Sequence, residues 1–235
     1  MHLEAVRQRV EQAAKRAGRD ASEVGIVAVT KTHPIRVVRE AALKGLLDIG
    51  ENRVQEALAK QDEWPDAPVR WHLIGHLQRN KAKLAVGRFA LIHSLDSVRL
   101  ADALEQAAAG KNVVQDVLVQ VNLARESQKD GCAPEEVDGL VAHAAALPHL
   151  RLMGLMTIAP LTDDAAVIRA VFRGLRVLRD RLVTGHRSPV TGNPPTVDRQ
   201  LSTLSMGMSN DFELAVEEGA TLLRLGTVLF GERHP

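Results

Sequence analysis

Residues 25–34 read "GIVAVTKTHP", an apolar run that ends in a lysine just before a turn. Val27, Val29 and Lys31 occupy alternate positions, so in a strand all three share one face, and in a barrel that face directs Lys31 to the mouth. A partly desolvated ammonium loses some of its preference for charge. Its pKa falls, and the free amine becomes a nucleophile toward an aldehyde, the chemistry of a Schiff-base lysine. A lysine at a strand end also serves by reaching solvent or by pairing with a carboxylate such as Glu51.

Near the other end stand "SMGMSND" (205–211) and "RLGT" (224–227). Gly207 allows a tight approach, and Ser209 suits the N-cap of a helix beginning "DFELAVEEG". Gly226, Thr227 and the cation Arg224 complete a donor set for a phosphate, although Ser209 would also serve merely as a cap. Asp211 and Glu213 suit the helix dipole but would repel a phosphate, so both are expected to face outward. A lysine for an aldehyde and a cradle for a phosphate, expected at opposite sides of one mouth, match the two handles of pyridoxal 5′-phosphate (PLP). They equally match a sugar-phosphate aldolase that works through an imine.

The elements that must carry these residues alternate. Short β-branched or apolar runs at 24–30, 46–49, 69–74, 89–95, 113–121, 150–156, 201–206 and 222–225 predict roughly eight strands, apolar on both faces as buried parallel strands are. Between them Pro34 opens a helix, Asn52 caps "RVQEALAKQ", Ser97 caps "VRLADALEQAAA" and Pro134 opens another. The class is α/β, and the expected architecture is one closed (β/α) barrel over residues 1–235 with an extra N-terminal helix, 2–17, over the seam. Residues 184–200, rich in Gly, Pro, Ser and Thr, predict a loop on the barrel's N-terminal face.

Composition narrows the function. The 30 basic and 29 acidic residues leave a formal charge of +1 without a block of either sign, so neither a nucleic-acid nor a membrane footprint is present. The one cysteine, Cys132, excludes an internal disulfide and fits a reducing compartment. The first residues carry charges throughout, unlike a signal peptide, and no later run has the apolar length of a membrane span; a cytoplasmic protein is expected. His72 and His76 lack metal-ligand spacing for a helix, and no metal site is expected.

The blocks "AVTKTHP", "IGENRVQE", "WHLIGHLQRNK", "IHSLD", "VQVN" with "ESQKDG", "GLMTI", "LSMGMSNDFELAVEEGAT" and "RLGTVLFG" come in order through most of the chain. On them the sequence resembles the pyridoxal phosphate homeostasis proteins, relatives of the N-terminal TIM-barrel domain of alanine racemase. The resemblance implies that Lys31 is the imine lysine. It implies that Ser209, Gly226 and Thr227 contact the phosphate, that Arg224 approaches the pyridine nitrogen or else the phosphate, and that Ser205 and Asn52 neighbour the cofactor.

An arginine beside the pyridine nitrogen keeps it unprotonated and makes the ring a poorer electron sink. Alanine racemase adds a tyrosine as second base from a further domain, whereas this sequence has no tyrosine. The resemblance implies PLP binding in vitamin B6 homeostasis without established catalytic turnover; apart from it, PLP-dependent apoenzymes are expected as recipients, and a monomer is expected. A weak PLP-dependent amino-acid racemase is the alternative, with His72 or Cys132 left as candidate proton donors.

Overall fold

The computed structural model describes residues 1–126, 128–185 and 201–232. Helices and strands alternate as α1 (Leu3–Arg16), β1 (Gly25–Val29), α2 (Ile35–Leu43), β2 (Asp48–Glu51), α3 (Val54–Glu63), β3 (Arg70–Leu73), α4 (Ala82–Ala85), β4 (Leu91–Leu95) and α5 (Val98–Lys111). The series continues with β5 (Gln115–Gln120), α6 (Val137–Ala145), β6 (Leu150–Met156), α7 (Ala165–Gly185), β7 (Thr203–Ser205), α8 (Phe212–Glu217), β8 (Leu222–Leu225) and α9 (Thr227–Phe230). The strands close into a barrel in the order β1 to β8. Every pair is parallel, the last joining β8 to β1 with Ala28 opposite Leu225. This is the expected (β/α)8 TIM barrel.

Two apolar layers explain why the strands carry hydrophobic residues on both faces. The outer one joins strand residues such as Ile49, Leu73, Ile92 and Leu204 to helix residues such as Val38, Leu104 and Phe172. A smaller cluster, Leu91, Leu118 and Met156, alternates with these along the strands and fills the barrel interior. Burying a Leu or Phe side chain fully contributes about 1.5–3 kcal/mol, so the outer layer supplies most of the driving force.

Local signals place several element ends. Ser97 caps α5, its Oγ accepting the Leu100 N–H at 3.4 Å, and Asn112 ends that helix in the left-handed region at φ 52. Pro34 precedes α2 as expected. Asn52 departs from expectation: α3 starts at Val54 with Arg53 at the N-cap position, and Asn52 lines the mouth of the barrel one residue earlier. The leading helix α1 packs beside α8 and α9, near the β8–β1 seam. The His2 N–H donates to Leu229 O at 2.9 Å, Arg9 pairs with Glu213 at 3.1 Å and Arg16 with Glu217 at 2.6 Å.

Helix α7 runs through Thr184 and Gly185, two residues expected as loop, and the rest of that stretch, 186–200, lies outside the described residues. Among the described residues no helix is long and apolar enough to cross a membrane.

Candidate functional site

At the C-terminal ends of the strands a cavity of ≈ 750 Å³ is lined by Lys31, Asn52, Ser209, Arg224, Gly226 and Thr227, six of the seven residues singled out in the sequence. Lys31, partly buried, sits on the turn after β1. Its two neighbours are clamped from below. Lys60 Nζ donates to Thr30 O at 2.8 Å, to Glu51 Oε1 at 2.7 Å and to Glu56 Oε1 at 2.9 Å. Thr30 Oγ1 donates to the same Glu51 oxygen at 2.6 Å, and the Thr32 N–H donates to Glu56.

Thr32 is held at φ 66, an outlier for a β-branched residue that persists only where its surroundings impose it. Burial pushes the Glu51 carboxyl above its usual value, with hydrogen bonds from Lys60 and Thr30 acting against that shift. Glu51, considered as a partner for Lys31, thus has Lys60 as its ion-pair partner.

Around the seam lie the residues expected to hold a phosphate. Ser209 Oγ accepts the Gly226 N–H at 3.4 Å and the Val228 N–H at 3.2 Å. Two backbone N–H groups converging on one oxygen make the local geometry that phosphate oxygens require. Ser209 is therefore not the cap of α8; Asp211 holds that position. Gly207, expected to permit a close ligand approach, is close-packed instead: a Cβ there would stand 2.6 Å from Ala215 Cβ and 2.9 Å from Leu223 Cδ2.

Two further expectations change. Asp211 faces inward, on the cavity wall and buried, because its carboxylate accepts the Met208 N–H at 2.6 Å and so closes its own turn. Burial pushes its carboxyl up, with the Met208 N–H and the Arg224 charge opposing. Glu213 does turn away, to Arg9. The lysine and the cradle are not at opposite sides of the mouth either: β8 pairs with β1, so the turns carrying Lys31 and Gly226 are neighbours.

Arg224 closes the floor. Its Nη1 donates to Ser205 Oγ at 2.7 Å and its Nη2 to Thr157 O at 2.9 Å, and burial brings its pKa down to about 10, so it stays cationic at neutral pH. Ser205 is fully buried behind it and is not among the cavity-lining residues. Behind Ser205 lie two buried histidines: His93 Nδ1 is 3.0 Å from Ser205 Oγ, and His93 Nε2 is 3.0 Å from His72 Nδ1. Desolvation in the core, with the Arg224 charge adding to it, holds His93 well below the ordinary imidazole value.

The remaining wall comes from three loops. A Cβ on Gly75 would lie 2.3 Å from Asn52 O, so only glycine lets the loop after β3 rest on Asn52. His76 bridges Asp96 at 3.3 Å and Asp130 at 3.6 Å. Lys129 donates to Ala159 O at 2.9 Å and pairs with Glu126 at 2.9 Å, joining the loops after β5 and β6. Sequence reading passed over Lys60, whose one available signal was its i,i+4 spacing from Glu56; His93 and the Lys129 segment stand out as polar strand ends but were given no role. The two candidate proton donors lie away from the cavity: His72 is buried inside the barrel, and Cys132 is buried with its thiol pushed up to about 12 by desolvation.

A second concavity, of ≈ 850 Å³, opens on the opposite face beside α1, Asp48 and Arg70. Its charges are of both signs, and none of the strand-end groups above reaches it. Among the described residues no group of three or more His, Cys, Asp and Glu could hold a metal ion.

Residues 1–234 match the family model "Alanine racemase, N-terminal domain". The pyridoxal phosphate homeostasis protein of Aquifex aeolicus is 44% identical over 231 residues, 98% of this chain and 96% of that relative. The protein of the same name from Pseudomonas aeruginosa is 45% identical over 229 residues, 97% of this chain and 93% of that one. PipY of Synechococcus elongatus PCC7942, solved with PLP bound, superposes with a TM-score of 0.80 at 39% identity, over 95% of this chain and 100% of PipY. The site therefore stands in a barrel whose relatives match it along nearly its whole length, and the chain belongs to the pyridoxal phosphate homeostasis protein family, within the alanine racemase N-terminal domain family.

Proposed function

We propose that this protein binds PLP and acts in PLP homeostasis, with Lys31 as the residue that holds the cofactor covalently. The observation that carries this is the convergence on one cavity of the Lys31 turn with Ser209, Gly226 and Thr227, on turns after neighbouring strands. The names of the relatives and the PLP-bound PipY structure point the same way.

The donor set fits the group: an amine for an aldehyde, backbone amides for a phosphate, and a cation at the floor. Bound there, PLP would supply an electrophilic carbon and an electron-withdrawing ring. Lys31 would hold the aldehyde carbon through its side-chain nitrogen, with water as the leaving group. Ser209, Gly226 and Thr227 would hold the phosphate, Asn52 would flank the ring, and Arg224, backed by Ser205, would oppose a second positive charge on the ring nitrogen.

A carrier without turnover is supported by the absence of tyrosine from the sequence and by the position of His72 and Cys132 away from the cavity. In this reading the chain acts as one domain over residues 1–235, monomeric and cytoplasmic, and passes PLP to apoenzymes that depend on it. A visible spectrum tests it. The wild-type protein loaded with PLP should be yellow and bleach with borohydride, with the added mass mapped to Lys31, and Lys31→Ala should show neither change.

Exchange of an amino acid's α-proton into deuterated solvent at an appreciable rate would favour the weak racemase instead. A colourless protein trapped by borohydride only with a keto or aldehyde substrate would favour the aldolase.

A further inference from the structure

Between the cavity floor and the N-terminal rim, polar side chains cross the barrel core without a break. Arg224 Nη1 is 2.7 Å from Ser205 Oγ, Ser205 Oγ is 3.0 Å from His93 Nδ1, and His93 Nε2 is 3.0 Å from His72 Nδ1. His72 Nε2 is then 2.9 Å from Asp48 Oδ1, and Asp48 is held by both Arg70 nitrogens at 2.6 Å. His72, His93, Ser205 and Arg224 are all buried, in a region otherwise filled by Leu91, Leu118 and Met156.

The two ends set the direction. A guanidinium only donates and an ionised carboxylate only accepts. The Arg70 and His72 partners outweigh burial and bring the Asp48 carboxyl down to about 2, so it is ionised at neutral pH. With a neutral imidazole at His72, its proton sits on Nε2 facing the carboxylate, which leaves Nδ1 as an acceptor for His93 Nε2–H. Neutral His93 therefore has a bare Nδ1, which takes the Ser205 O–H. The opposite order would demand an imidazolium at His72 or a bare nitrogen facing a carboxylate.

We propose that His72 and His93 are positioning residues for Arg224: with Asp48 they order a one-way hydrogen-bond chain that keeps the lone pairs of Ser205, rather than its proton, turned to the guanidinium. Both occupied Arg224 nitrogens then meet acceptors, at Ser205 Oγ and Thr157 O, and the fork is fixed in plane. The remaining N–H groups are left for a ligand that offers an acceptor, such as an unprotonated ring nitrogen. This last step rests on the reading above that Arg224 faces the ring of PLP.

The test reads the tautomers directly. In the full chain without added PLP, ¹⁵N spectra of labelled histidines should show His72 and His93 both protonated on Nε2 and not on Nδ1 at neutral pH; protonation of either on Nδ1 overturns the chain. Asp48→Asn, whose amide can donate or accept, should give mixed tautomers at His72, and an unchanged pattern counts against the proposal.

PLP titration adds the functional arm. His93→Leu fills the space without hydrogen bonds and should weaken PLP binding about tenfold, whereas His93→Gln, able to accept and donate in the same order, should stay within about threefold of wild type. Equal affinity for the two variants overturns the relay while leaving PLP binding intact. A wild-type chain that takes up no PLP overturns the reading of the site and leaves the tautomer result to decide the relay.

Discussion

Lys60 and Glu51 meet at 2.7 Å beneath the turn that carries Lys31, with side chains 8% and 0% exposed. The same ammonium holds the Thr30 carbonyl and Glu56, so one buried cation sets the backbone on both sides of Lys31. Breaking a buried pair by removing one partner is costly because the other charge stays buried. Lys60→Met should destabilise the protein by about 3–5 kcal/mol in urea unfolding, and adding Glu51→Gln should recover part of that loss.

The pH dependence of that variant has a definite sign. Burial already raises the folded Glu51 carboxyl above its unfolded value, so the folded state binds this proton more tightly, and its contribution to stability is lost as pH rises through the folded pKa. Without Lys60 the shift grows, and Lys60→Met should lose more stability than wild type as pH rises above the usual carboxylate range. Equal slopes in the two proteins would show that Glu51 is not the group responsible.

Asp48 behaves oppositely. Burial pushes its carboxyl up, but hydrogen bonds from His72 and Arg70 and the Arg70 charge prevail, taking it from 3.8 to about 2. A depressed carboxylate contributes stability above its unfolded pKa and loses it as pH falls through the folded value. Asp48→Asn should therefore be less stable at neutral pH and show a flatter acid limb between about pH 4 and about pH 2, measured by chemical denaturation across that range.

Ser209 Oγ ties the amides of Gly226 and Val228. Ser209→Ala should raise the dissociation constant for PLP about tenfold, the worth of one charge-assisted hydrogen bond, and leave that for pyridoxal, which has no phosphate, unchanged. Paired titrations with the two vitamers check it; an equal loss for both would move the serine's role from phosphate to ring.

Gly75→Ala places a Cβ 2.3 Å from the Asn52 carbonyl oxygen, a backbone atom that cannot rotate away. Overpacking of this kind costs about 1–3 kcal/mol, and the displaced Asn52 backbone should weaken PLP binding as well. Thermal unfolding and PLP titration of the same variant measure both.

Strand positions were largely legible. The β6 run at 150–156 and the β8 run at 222–225 coincide with the observed strands, because continuous apolar stretches between turn residues are a local signature of a buried parallel sheet. Helix starts were less so. Asn52 and Ser209 have the chemistry of N-caps, yet Arg53 and Asp211 stand at those positions; Ser209 Oγ instead accepts the Gly226 and Val228 N–H groups, and Asn52 lines the cavity. The outward placement expected for Asp211 failed for a similar reason: its short side chain reaches its own turn's Met208 N–H, a contact that periodicity does not encode.

From the order of its residues alone, the chain determined the alternation that makes an eight-stranded barrel, and it put a lysine and two glycine-bearing turns at strand ends; each depends on chemistry within a few positions. Only the closed barrel decided that β8 lies beside β1, bringing the turns of Lys31 and Gly226 together. It also decided that Lys60 reaches under Thr30 and that His93 meets Ser205, 112 positions away. Such meetings are set by strand tilt, register and which face each side chain takes, quantities defined once distant segments pack.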